Sequence, residues 1–128
     1  MREQIELKFQ VGYPTSTPYT RVVAFERHVC QEISRICGGC ETSHTKGWWR
    51  DDGADHKTAF RGILQEENTL TFTVTCEKLK VDLAYKITKE ALCDAALVFR
   101  IETDWIHVKE SSVLGRHFSV KEVNREDV

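Results

Sequence analysis

The chain has 128 residues, 41% of them hydrophobic and 30% charged, with a formal net charge of -2. That length can bury roughly two thirds of its unfolded surface around one core, so a single domain over residues 1–128 is expected. The near-neutral charge removes the electrostatic case for nucleic acid or an anionic membrane as partner, and no apolar run approaches the ~20 residues that span a bilayer.

Residues Met1-Arg2-Glu3-Gln4 lead directly into an alternating segment and not into a leader, which points to a cytoplasmic location. Ile5, Leu7, Phe9 and Val11 alternate with Glu6, Lys8 and Gln10, the period-2 pattern of a strand with one wet face. From Gly12 to Pro18, two prolines among small hydroxyl residues predict a loop. Val22, Phe25, Val29, Ile33 and Ile36 then recur at spacings of three and four, predicting an amphipathic helix over about Thr20–Cys37. Thr20 can cap its start, and Gly38-Gly39 can supply a left-handed stop.

Residues 40–50 and 59–64 read as extended, with Asp51-Asp52-Gly53-Ala54-Asp55 as the turn between them. Leu70, Phe72, Val74 and Cys76 alternate with four threonines, the strongest strand pattern in the chain. Leu79, Leu83, Ile87 and Ala91 predict a second helix over about Lys78–Cys93. The apolar run Ala96–Glu102 and the segment Trp105–Glu110 read as a hairpin, and the tail 119–128 as a frayed end. Strand, helix, two or three strands, helix and two strands add up to an α+β ferredoxin-like sandwich, an antiparallel sheet with two helices on one face. The other face, with its threonines and with Trp105 on a late strand, is left for another subunit.

Five cysteines fall mostly within apolar patterns, as small hydrophobes of a reducing compartment do. Cys37-Gly38-Gly39-Cys40 has the spacing of a redox or metal pair, but it sits where a helix ends, which raises a thiol pKa, and no second pair exists to complete a zinc site. The five histidines show no metal spacing, and neither a serine elbow nor a phosphate-cradling glycine loop is present, so the expected metal set is none.

The chemistry is concentrated between Cys40 and Cys76. Trp48, Trp49 and Arg50 adjoin one another, and Glu66 and Glu67 stand where a strand begins. Neighbouring residues of a strand face opposite ways, so one indole of the pair belongs to the core side and the other to the far side. An exposed indole can stack on a flat base or a cation, worth ~1 kcal/mol, and a carboxylate can accept ribose hydroxyls or meet a cationic centre.

These residues resemble the small phage-encoded S-adenosylmethionine lyases, long called S-adenosylmethionine hydrolases. The resemblance runs over about Ile5–Glu110 and rests on the first strand, Arg27-His28, the polar run into Gly47-Trp48-Trp49-Arg50, the step Glu66-Glu67-Asn68-Thr69 into a strand ending at Cys76, and Leu97-Val98-Phe99. Two features depart from that family: Trp49 stands where Tyr is common, and the stretch from Arg50 to Glu67 is longer, which leaves Glu66 and Glu67 both open. The resemblance implies a homotrimer with its site between subunits, S-adenosylmethionine as the partner and substrate, and no cofactor. It also implies cleavage to 5'-methylthioadenosine and homoserine lactone by the substrate's own carboxylate. Glu67 and Glu66 are then the catalytic candidates, and Trp48, Trp49, Arg50 and Tyr19 the substrate-binding ones, with the loop from Tyr13 to Tyr19 as a cover. The cytoplasm would be that of an infected bacterium. The alternative is a non-catalytic trimer that binds a nucleotide or other small ligand as a sensor or sponge, and a third reading is an interaction protein whose tryptophans are interfacial.

Overall fold

The computed structural model describes residues 2–50 and 62–121. The turn expected at 51–55, His56, the extended start expected at 59–61 and the tail from 122 onward lie outside the described residues. Strand β1 spans Arg2–Pro14, helix α1 Tyr19–Cys37, strand β2 Glu41–Arg50, strand β3 Leu64–Glu77, helix α2 Val81–Val98 and strand β4 Ile106–Gly115. A single 3-10 turn, Lys78–Lys80, leads into α2.

The four strands form one sheet in the order β2-β3-β1-β4, each neighbouring pair antiparallel. That order with the β-α-β-β-α-β succession is the ferredoxin-like arrangement. The β1 residues Ile5, Leu7, Phe9, Val11 and Tyr13 and the β3 residues Leu70, Phe72 and Val74 are buried together with Val22, Phe25, Val29 and Ile33 of α1 and Ala84, Leu92 and Ala95 of α2. Period 2 on the strands meets period 3.6 on the helices, and one sheet face is covered. Phe25 stands at the centre, edge-on to Phe72 at 5.9 Å and to Phe99 at 6.4 Å.

Several boundaries differ from the sequence reading. β1 runs on through Gly12 and Tyr13 and ends with Pro14 opposite Glu67, so the expected loop shrinks to residues 15–18. Pro14 is tolerated because it closes the ladder and does not interrupt it. Thr20 does not cap α1: the helix begins at Tyr19 after Pro18, with no side-chain cap. At the other end Gly38, at φ 85, supplies the left-handed stop. The expected hairpin after α2 is absent. Residues 94–98 continue the helix, Phe99 caps it, and Arg100 turns the chain with a positive φ of 54. A short apolar run suits strand and helix alike, and here the upstream register Ala84, Thr88, Leu92, Ala95 carries the helix onward. Trp105 precedes β4 instead of lying on it.

Candidate functional site

Strands β2 and β3 pair so that Gly47 lies opposite Glu67, Trp48 opposite Glu66, Trp49 opposite Gln65 and Arg50 opposite Leu64. Because Leu70, Phe72 and Val74 face the helices, alternation puts Glu66 on the helix side of the sheet and Glu67 on the open side. The two adjacent carboxylates therefore serve different faces. The side chains of Trp49 and Arg50 lie outside what the structure describes, so these residues are placed by their backbone alone.

On the helix side, Glu66 meets Lys46, with Nζ 3.2 Å from the carboxylate, and Trp48 beside them is 59% exposed. Tyr13, Asn68 and Lys46 form one row across β1, β3 and β2. Tyr13 is buried, and burial raises its phenol pKa, with the Glu26 carboxylate and Tyr19 adding to the rise. Glu26 of α1 is also tied to His44 of β2, 2.9 Å from its Nε2. Tyr19, the first residue of α1, is exposed. Lys46 thus already answers the charge of Glu66.

The open side is different. Glu67 has Gly47 opposite it on β2 and Pro14 opposite it on β1. Its carboxylate leans over Gly12: a Cβ built on Gly12 would stand 2.5 Å from Oε2. Thr69, next on the same face, is buried between Thr45 and Gly12. Positions 12 and 47 contribute no side chain to the floor of this face, and the Glu67 carboxylate lies over Gly12. Chemically, such a floor can take a flat or compact group whose hydroxyl or ammonium donors reach Glu67.

The thiols gather elsewhere. Cys30, Cys37, Cys40 and Cys76 are partly buried against the core. Burial pushes the Cys40 thiol up to about 12, with Cys30 contributing next, and it raises Cys30, Cys37 and Cys76 as well. These are packing thiols, not nucleophiles. Cys37 and Cys76 also line a groove of about 240 Å³ with Ile36, Leu83 and Ile87, where β1 begins and β3 ends. That is the opposite end of the sheet from Glu67, and none of the expected site residues lines it. Among the described residues no cluster of three His, Cys, Asp or Glu could hold a metal ion.

The structure therefore brings Trp48 and Glu66 together and sets Glu67 apart. Sequence reasoning missed Gly12, which read as the start of a loop, and gave Lys46 no role. A lone glycine closing an alternating strand is a signal of close approach by another group, and here that group is a carboxylate.

Fold and site together define a ferredoxin-like α+β protein with an acidic seat on the helix-free face of its sheet. Among solved structures the chain is similar to a phage SAM lyase in the apo state, at 13% identity and a TM-score of 0.49 over 90% of this chain and 92% of that one. It is also similar to a phage SAM lyase in complex with S-methyl-5'-thioadenosine, at 12% identity and a TM-score of 0.49 over 91% and 93%. A hydantoinase/carbamoylase family amidase from Burkholderia ambifaria follows at 15% identity and a TM-score of 0.41, over 88% of this chain and 28% of that one. No family model matches the chain, and no curated protein matches it.

Proposed function

We propose that this protein is an S-adenosylmethionine lyase, a single-domain cytoplasmic enzyme without cofactor or metal that works as a homotrimer. The observation that carries the reading is Glu67 on the helix-free face, opposite Gly47 and with its carboxylate over Gly12, two positions without a side chain. Among the described residues of one protomer no helix covers this seat; a second protomer against the same face would close it and keep water out.

The reaction suits a site with few reactive groups. One oxygen of the methionine carboxylate attacks the γ-carbon of the same molecule as the bond from that carbon to sulfur breaks. The electron pair goes to sulfur, discharging the sulfonium, and the products are 5'-methylthioadenosine and homoserine lactone. Nucleophile and leaving group both arrive with the substrate, so the protein has only to fold it into attack geometry, and orientation of this kind can supply ~7 to 11 kcal/mol.

Positive charge on sulfur disappears in the transition state, so a carboxylate held against sulfur would favour the ground state. Glu67 is therefore assigned to the ribose hydroxyls or the α-ammonium, which keep their character throughout. Trp49, two positions beyond Gly47 on β2, is assigned to the adenosine, and Arg50, which pairs with Leu64 in the register of Trp48 and Glu66, to the part of the site a neighbouring protomer completes. Trp48, Glu66 and Tyr19 lie toward the helix side and join a site only as the contribution of a neighbouring protomer. The test is to incubate purified protein with S-adenosylmethionine and follow 5'-methylthioadenosine chromatographically. Product formation is expected. Intact substrate, together with a thermal shift on its addition, would leave a binding module in place of an enzyme.

A further inference from the structure

On the same reading we infer that Gly12 is a positioning residue, the seat that holds the Glu67 carboxylate in its working place. Gly12 lies on β1 opposite Thr69, and its missing side chain points to the open face, where alternation also sets Glu67. A methyl group there would stand 2.5 Å from Oε2 and 3.7 Å from Cδ of Glu67, and no third atom is as near as 4 Å. Real Cβ atoms do not come that close to an oxygen, so one of the two must move. What moves is the end of a flexible side chain, which can swing away without disturbing the ladder.

The φ of Gly12 is not positive, so the backbone itself does not require glycine there. Glycine in a strand interior gives up packing and is less stable there than alanine. The position therefore gives up strand stability and gains room for one carboxylate. Gly115 offers a matched comparison. It lies on the same face at the other end of β1, opposite Arg2, and a Cβ there would stand 2.8 Å from Oε1 of Gln4. The crowding is of the same kind, but the group displaced is a neutral amide about 33 Å away along the strand.

Four variants in the cleavage assay test the inference: Gly12→Ala, Gly115→Ala, Glu67→Asp and the double variant Gly12→Ala/Glu67→Asp. Gly12→Ala is expected to keep its melting temperature within a few degrees and to lose at least tenfold in kcat, while Gly115→Ala keeps wild-type turnover. Aspartate is one methylene shorter and withdraws from the seat, so the double variant is expected to be no slower than Glu67→Asp alone. Wild-type turnover in Gly12→Ala, or losses that simply multiply in the double variant, would overturn the inference. A crystal structure of Gly12→Ala reads the same inference without turnover. Glu67 swung off β1 over an unmoved backbone supports it, and a carboxylate in its original place beside a shifted strand overturns it. A wild-type protein that leaves S-adenosylmethionine intact overturns the functional reading instead, and the crystallographic result then stands alone.

Discussion

Glu66 and Glu67 differ by one position and by nearly everything that matters chemically. Glu66 faces Lys46 at 3.2 Å in an exposed pair, of a kind that contributes ~0 to 1 kcal/mol, and its loss should leave folding almost unchanged. Among the described residues no ion pair joins a cation to Glu67, whose carboxylate leans on a glycine. Glu67→Gln is therefore expected to lower turnover at least tenfold with little change in melting temperature, and Glu66→Gln to lower it much less. Wild-type kinetics in Glu67→Gln would remove that residue from the site. The thiols supply a second residue-scale expectation. An ordinary thiol titrates near 9.0, and Cys40 in the fold is pushed up to about 12 by burial and by Cys30. Because the folded value lies above the unfolded one, the folded state holds its proton longer. The associated stability is complete below pH 9 and drains away as pH rises from 9 toward 12. Melting temperature should fall over that window, and less steeply in Cys40→Ala; parallel curves for the two proteins would contradict this.

At the scale of elements, α2 holds both the largest departure from the sequence reading and an internal cost. Its buried stripe is Ala84, Thr88, Leu92 and Ala95, and the helix continues to Val98, into the apolar run Ala96–Glu102 that suggested a strand. Within it the Thr88 hydroxyl is fully buried and has no hydrogen-bond partner among the described residues. A buried polar group left unpaired costs ~1 to 3 kcal/mol, and valine has nearly the same shape. Thr88→Val should raise stability by ~1 kcal/mol in a urea titration at unchanged slope. A lower midpoint would show that the hydroxyl is satisfied.

At the scale of the molecule, the described helices cover one side of the sheet. Both helices pack against the sheet from the side of Leu70, Phe72 and Val74, and among the described residues no helix lies over the face carrying Glu67 and the threonines. Thr69 and Thr71 on that face are nonetheless buried. The proposed trimer uses this face to enclose the seat at Glu67. Light scattering should then return three times the chain mass in the concentration range where activity is measured. A monomer that cleaves S-adenosylmethionine would keep the reaction and discard the intersubunit site.

What the sequence determined by itself was the periodicity of its elements. Alternation at Ile5–Val11 and at Leu70–Cys76, helical spacing at Val22–Ile36 and the Gly38-Gly39 stop are local, and together they specify an α+β sandwich because each apolar face has one way to be buried. The short run at Leu97–Phe99 was ambiguous for the same reason, since three or four apolar residues satisfy either period until a neighbouring register decides. The candidate site was legible only as a list of residue types. That Glu66 turns to Lys46 and Trp48 while Glu67 turns to Gly12 depends on how β3 registers against β2 and β1, which joins Glu66 to residues 18 and 20 positions away and Glu67 to one 55 positions away. Side-chain direction in a sheet reverses with every residue, so a role for either carboxylate could be assigned only once tertiary pairing had set which face each one meets.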